Sequence, residues 1–111
     1  MGRDSLDLLK GTLDVLILRT VNGGPLHGYA ISKAIREASR DVFDVEEGAL
    51  YPALRRLEGK GLLAGEWGKT DTGRDARFYR VTAAGGRQLA SEMRTWERYV
   101  EAMGRVLGGS S

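Results

Sequence analysis

The order of apolar patterns along the chain predicts a mainly α fold with a small β-hairpin, in the α+β class. Apolar residues recur at helical spacing in three segments before residue 60, and they alternate with polar residues in two short segments after it. Helical spacing returns in residues 83–107, where it follows a heptad. A chain of 111 residues suits one domain, expected over residues 1–107 and followed by a flexible tail at 108–111.

The composition favours binding over catalysis. The chain has no cysteine and one histidine, His27, and it shows neither a cluster of metal-ligating residues nor a glycine-rich phosphate loop. We therefore predict no enzyme activity, no catalytic residue, no metal and no cofactor. A net charge of +2 is compatible with a polyanionic partner without requiring one. The lack of cysteine, of an apolar run of membrane length and of a signal-peptide pattern predicts a cytoplasmic location.

The first helix is predicted over residues 5–22. Its apolar residues define two faces, so we expect it to be buried on two sides, and Gly23-Gly24-Pro25 ends it. One face carries Leu6, Leu9, Leu13, Leu16 and Ile17, and the other carries Leu8, Val15 and Leu18.

Two further helices are predicted over residues 28–39 and 46–60. The second helix has an inward stripe of alanine and isoleucine, and His27 precedes it as a polar residue at a helix start. Asp44 followed by Glu47 fits a reciprocal cap for the third helix. That helix has a buried leucine stripe and two glycines at its end: Leu50, Leu54, Leu57, Gly59 and Gly61.

A β-hairpin is predicted over residues 62–82, and a long helix over residues 83–107. The strands are expected at 62–67 and 77–82, on either side of a nine-residue polar tip. Thr82 can cap the helix that follows. The helix carries a heptad seam typical of helix pairing, which is the predicted dimer interface: Leu89, Met93, Trp96, Val100, Met103 and Leu107.

Three helices followed by a wing form the order of a winged helix-turn-helix with a C-terminal dimerisation helix, in which the third helix enters the DNA major groove. Pro52 inside that helix removes one hydrogen bond and crowds the carbonyl of Gly48, which has no side chain to obstruct adjustment. Tyr51, Arg55 and Arg56 lie off the buried stripe, where they can contact a phosphate or a guanine. The alternative is that these three are ordinary surface side chains.

The wing gives a weaker indication of DNA binding than the third helix does. Lys69, Arg74 and Arg77 are placed to contact phosphates if the wing lies along a minor groove. The segment from Glu66 to Arg80 has four basic and three acidic residues, a net charge of +1. An ordinary charged hairpin tip is therefore the alternative.

The motifs resemble those of the PadR family of bacterial transcriptional regulators over nearly the full chain. The matching segments are LLKGTLDVLIL, GPLHGYAI, GALYPALRRLEGKGLL and RFYRVTAAG. The resemblance, to the compact branch with one dimerisation helix, implies a homodimer, usually a repressor, that binds palindromic promoter sites. Some such proteins release DNA on binding aromatic or drug-like molecules. The resemblance also implies DNA-backbone contacts for Lys10, Tyr29 and Tyr51, and a close approach of DNA at Gly48.

The complete set of predicted DNA-binding residues is Lys10, Tyr29, Lys33, Gly48, Tyr51, Pro52, Arg55, Arg56, Lys69, Arg74 and Arg77. The resemblance further implies that Trp96 lines an effector opening at the dimer interface, with Met93 and Met103 as adaptable walls. The alternative for Trp96 is a plain seam residue, which is more common at heptad spacing. The alternative for the whole chain is a winged-helix module that binds a partner protein, without specific DNA binding or an effector.

Overall fold

The computed structural model describes residues 11–108, which form four helices and three strands. Several residues of the predicted first helix lie outside this range, among them the predicted DNA contact Lys10, as does the tail beyond Gly108. The elements are α1 (Thr12–Val21), β1 (Leu26–His27), α2 (Gly28–Ala38), α3 (Glu47–Gly59), β2 (Leu63–Lys69), β3 (Asp75–Val81) and α4 (Ala83–Leu107).

Side-chain caps begin two of the helices, and the sequence predicted the one at Thr82. Nδ1 of His27 accepts a hydrogen bond from the backbone N–H of Ala30 at 3.4 Å, at the start of α2. Oγ1 of Thr82 accepts one from the N–H of Gly85 at 3.0 Å, at the start of α4. Each cap satisfies a donor that the first helical turn leaves unpaired.

The start of α3 differs from the prediction. The N-cap residue is Glu46 and not Asp44, and the side chain of Glu46 makes no capping hydrogen bond. Val45 accounts for the difference: it is buried in the core, just before the helix begins. Burying this valine in non-helical chain places Asp44 two residues before the N-cap.

The wing is a three-stranded antiparallel sheet in the order β1-β3-β2. β2 and β3 pair from Leu63 opposite Val81 to Lys69 opposite Asp75, so the turn occupies residues 70–74 and is shorter than the predicted nine-residue tip. The polar residues near the turn continue the ladder because backbone pairing does not require apolar side chains. The sequence missed β1, since a two-residue strand is too short to show alternation. β1 pairs with β3 and ties the start of α2 to the wing.

One hydrophobic core joins the helices to the root of the wing. Leu89, which the heptad spacing placed on the dimer seam, is 5% exposed and belongs to this core, so the free part of the seam begins at Met93. Each fully buried leucine or isoleucine contributes about 1.5–3 kcal/mol. The buried core residues are Ile17, Leu18, Val21, Ile31, Ile35, Val45, Leu50, Ala53, Leu54, Leu57, Leu63, Tyr79 and Leu89, with Leu13, Val15 and Leu16 of α1 partly buried beside them.

A single residue, Thr82, joins the wing to α4. Its hydroxyl donates to the carbonyl of Gly61 at 2.6 Å, and its N–H donates to the carbonyl of Leu62 at 3.1 Å. One turn into α4, Gly85 packs so closely that a Cβ atom there would lie 2.1 Å from the carbonyl oxygen of Leu62 and 2.9 Å from a methyl of Val81. Only glycine fits at this position, because a backbone carbonyl cannot swing aside as a side chain can.

We expect Gly85→Ala to destabilise the fold by about 3 kcal/mol or more, because the added methyl group must displace backbone. Gly86→Ala is the matched control, since a Cβ atom at Gly86 would meet nothing within 4 Å. Alanine is the better helix former, so the control should be neutral or stabilising by up to about 1 kcal/mol. Urea denaturation followed by circular dichroism measures both variants. Equal midpoints would contradict the close packing at Gly85.

Candidate nucleic-acid interface

An open cleft of about 790 Å³ lies between the N-terminal ends of α2 and α3 and the inner face of the wing. Tyr29 of α2 and Tyr51 of α3 line it on one side, and Trp67, Arg74 and Arg77 line it from the wing. Hydroxyl, indole and guanidinium groups are donors suited to a phosphate backbone. Carboxylates also reach the cleft, those of Glu47, Asp71 and Asp75.

The outward face of α3 lies opposite its buried stripe. At about 100° per residue, Gly48, Pro52, Arg55 and Gly59 fall on this face, and all four are exposed. A Cβ atom at either glycine would meet nothing within 4 Å. The face is therefore smooth except for one long side chain, Arg55, which has no ion-pair partner in residues 11–108.

Pro52 does not break α3, which runs from Glu47 to Gly59. Because proline has no N–H, the helical hydrogen bond to the carbonyl of Gly48 is missing. Gly48 is exposed and uncrowded, so the first turns of the helix can accommodate the proline ring without displacing the core. The proline lies on the outward face beside Arg55, away from the packed side of the helix.

Two of the predicted DNA-binding arginines make ion pairs within the protein. Nη2 of Arg56 lies 2.5 Å from Oδ1 of Asp14 on α1, and Nη2 of Arg77 lies 2.5 Å from Oε2 of Glu58 on α3. The hydrogen bond to Glu58 raises the pKa of Arg77 above its ordinary value, so the guanidinium stays charged. The two pairs hold α3 on both flanks, against α1 and against the wing.

Tyr79 lies where the cleft meets the core. Its ring is buried among core residues, and the residue also lines the cleft. Burial raises the pKa of the Tyr79 phenol, and the nearby carboxylate of Glu58 raises it further. The hydroxyl is therefore neutral at physiological pH and remains a hydrogen-bond donor.

The ring of Tyr51 lies against Gly28, the first residue of α2. A Cβ atom at Gly28 would lie 2.7 Å from Oη of Tyr51 and 2.8 Å from a ring carbon. Sequence reasoning did not single out Gly28, although the glycine between His27 and Tyr29 in HGY was an available signal. Tyr29 is exposed and stacks with His27, with ring centroids 6.5 Å apart. Lys33, one turn further along α2, is exposed but does not line the cleft.

Hydrogen bonds close the tip of the wing. The N–H of Thr70 donates to the carbonyl of Arg74 at 2.8 Å, and the N–H of Arg74 donates to Oγ1 of Thr70 at 3.2 Å. Gly73 has a φ of +83°, a conformation that favours glycine. The turn leaves the side chain of Arg74 exposed beside the cleft, whereas Nζ of Lys69 lies 2.8 Å from Oδ1 of Asp75.

The second half of α4 carries an exposed apolar face. Trp96 stacks on Tyr99 with ring centroids 5.4 Å apart. A shallow, open depression of about 610 Å³ borders Trp96 and Val100 among charged side chains, and neither Met93 nor Met103 lines it. Sequence reasoning missed two members of the face because they fall outside the heptad. The α4 face consists of Met93, Trp96, Tyr99, Val100, Met103, Val106 and Leu107.

Neither a cluster of metal-ligating side chains nor a helix of membrane-spanning character occurs in the part of the chain that the structure describes. No group of three or more His, Asp or Glu side chains lies close enough together there to hold a metal ion. None of the helices in residues 11–108 is long and apolar enough to cross a membrane.

The sequence and the fold are similar to those of known transcriptional regulators. The model of the transcriptional regulator PadR-like family matches residues 17–91. A transcriptional regulator of Mycobacterium tuberculosis is 40% identical over 86% of this chain and 82% of its own length. A PadR family transcriptional regulator from Eggerthella lenta superposes with a TM-score of 0.76 and 33% identity, covering 91% of this chain and 86% of that one. A transcriptional regulator from Clostridium thermocellum superposes with a TM-score of 0.78 and 28% identity, covering 86% of this chain and 93% of that one.

We expect Gly28→Ala to destabilise the protein by about 1–2 kcal/mol, because the new methyl group overlaps the ring of Tyr51 and must push it aside. In a Tyr51→Ala background the same change should cost nothing, since the overlapping ring is gone. A double-mutant cycle measured by chemical denaturation gives this coupling. Additive effects of the two changes would contradict the contact.

Proposed function

We propose, from the premise that the chain belongs to the PadR-like family of transcriptional regulators and is a DNA-binding regulator, that it acts as a homodimeric repressor. The proposed repressor binds a palindromic promoter site in the cytoplasm. The family consists of regulators rather than enzymes. The observation that supports the proposed mode of binding is the smooth outward face of α3, which has Arg55 as its only long side chain.

In the proposed complex, α3 enters the major groove with this face toward the bases. The helix can lie deep in the groove because no long side chain projects from it at Gly48, Pro52 or Gly59. Arg55 then reaches a guanine edge or a phosphate, as arginine does in many such complexes. Tyr29 joins it from the neighbouring α2 with an exposed hydroxyl for the backbone.

Four further predicted contacts divide into two groups. Arg74 at the tip of the wing and Tyr51 in the cleft are placed to meet phosphates of the strand that the cleft receives. Arg56 and Arg77 act differently: their ion pairs with Asp14 and Glu58 orient α3, so they affect DNA binding by positioning the helix.

The proposed dimer is supported by the α4 face. Past Leu89, α4 adds no residue to the buried core, yet it exposes apolar side chains at heptad spacing along one side. A helix with an unpartnered apolar stripe gains most by pairing with a copy of itself. Twofold pairing would place two copies of α3 on half-sites roughly 34 Å apart, one turn of DNA.

An effector, if the repressor responds to one, would enter at Trp96. Its stacking with Tyr99 offers a flat aromatic surface next to Val100, which suits a hydrophobic or aromatic molecule held between the two α4 helices. Met93 and Met103 lie on the same face, one on either side of Trp96, where their flexible side chains can adapt to different shapes. The alternative for Trp96 is a purely structural place in the seam.

Fluorescence anisotropy tests specific DNA binding. The probe is a duplex that the protein selects from a random-sequence pool, compared with a scrambled duplex of equal length at two salt concentrations. We expect a preference of at least about 10³-fold for the selected duplex. Equal, steeply salt-dependent binding to both duplexes would indicate electrostatic attraction alone and would contradict a specific regulator.

We expect Arg55→Ala to weaken binding to the selected duplex by about 1–3 kcal/mol, roughly 5- to 150-fold, because it removes the one long side chain of the outward face. Lys60→Ala is the matched control: it removes the same charge from the C-cap of the same helix, away from that face. The same anisotropy titration measures both. Equal losses would show that only net charge matters and that the outward face does not meet DNA.

We expect Val100→Asp to dissociate the dimer and reduce operator affinity, because it buries a charge in an apolar seam. Ser91→Asp places the same carboxylate on the other side of α4, between Arg87 and Arg94, and should leave the dimer intact. Sedimentation equilibrium gives the oligomeric state of both variants. A Val100→Asp protein that stays dimeric would refute pairing through this face.

A further inference from the structure

Trp67 is 70% exposed, the highest fraction of any aromatic side chain in residues 11–108. It lies on β2 opposite Arg77, on the sheet face whose root is buried at Leu63 and Tyr79. The same face therefore packs into the protein at its root and turns toward the cleft at Trp67. A lone exposed aromatic is ordinary in itself. Trp67 differs from an ordinary exposed aromatic because Arg77 supports its ring and the ring faces the cleft.

The indole is held by a chain of contacts that begins on α3. The guanidinium of Arg77 lies 6.0 Å from the centroid of the Trp67 ring, a cation–π contact, and the same guanidinium is paired with Glu58. Arg77 reaches Glu58 by crossing Gly65, where a Cβ atom would lie 2.7 Å from its Nε. Glycine at this position leaves room for the arginine, so the indole rests on a cation that α3 fixes.

The ring faces the cleft across from two hydroxyl groups. Tyr29 and Tyr51 line the opposite wall, and Arg74 lies toward the tip of the wing. An indole offers a flat apolar surface and a single N–H donor. That combination suits a deoxyribose and its phosphate, and it carries no donor–acceptor pattern with which to distinguish one base pair from another.

We propose that Trp67 is a DNA-backbone contact: its ring packs on a deoxyribose, and its Nε1–H donates to the adjoining phosphate of the strand in the cleft. This inference rests on the proposed DNA-binding function. Trp67 takes the role that charge alone suggested for Arg77, while Arg77 supports the ring from below. Because Trp67 is uncharged, the contact adds affinity for any sequence and releases no counterion.

The first test is Trp67→Ala in the full chain, titrated by anisotropy against the selected duplex and the scrambled duplex. We expect affinity for both duplexes to fall about tenfold, as loss of one aromatic contact with nucleic acid does. The preference for the selected duplex and the slope of log K against log salt should both stay unchanged. Arg74→Ala, in contrast, should reduce that slope by about 1. Glu66→Gln, on the opposite face of the same strand, is the control and should change little.

A loss below about twofold for Trp67→Ala, within the range of a neutral surface change, would overturn the inference. So would a reduced salt slope, which would mean that a displaced cation caused the loss. A lowered preference for the selected duplex would mean that Trp67 reads bases and would also overturn it. If the unaltered protein prefers no duplex, the proposed function fails; if it prefers one and Trp67→Ala binds equally well, only this inference fails.

Fluorine NMR gives a second, independent test of contact between Trp67 and DNA. Protein labelled with fluorotryptophan has two fluorinated sites, Trp67 and Trp96, and Trp67→Phe identifies the resonance of the first. We expect the Trp67 resonance to shift when the selected duplex is added at saturating concentration. A resonance that stays in place while the duplex binds would refute contact between Trp67 and DNA.

Discussion

The ion pair between Glu58 and Arg77 fixes the relation between α3 and the wing, and the geometry of the cleft depends on it. Glu58 lies on the wing side of α3, and Arg77 crosses Gly65 to reach it. The arginine in turn supports the ring of Trp67. Without the pair, α3 and the wing would still be joined at their roots, where Tyr79 is buried, but the walls of the cleft could separate.

Stability and orientation come from different interactions in this protein. The leucine and isoleucine core accounts for most of the stability, at about 1.5–3 kcal/mol for each fully buried side chain. The ion pairs of Arg56 and Arg77 lie near the surface and add far less. Their effect is directional, because they hold α3 from both flanks and leave its outward face open. A helix held in this way loses little conformational freedom when it binds.

The sequence predicts the parts of this fold that depend on local pattern. The bounds of α4 and the cap at Thr82 are as predicted, because periodicity and capping involve residues close together in the chain. Features that depend on distant neighbours could not be predicted. Arg56 and Arg77 appeared to be free cations because Asp14 and Glu58 lie 42 and 19 residues away. Leu89 fitted the heptad, yet its position is set by contacts with elements that its spacing does not reveal.

The one-residue junction at Thr82 fixes the angle between the wing and α4. No slack separates β3 from α4, so the direction of the α4 face relative to α3 is set by the number of residues between Gly85 and the first exposed seam residue. Inserting one residue there would turn the face by about 100° and advance it by about 1.5 Å. The number of residues in this segment of α4 therefore sets the angle between the α4 face and the outward face of α3. Chains that differ there by even one residue would present α3 to DNA at different angles.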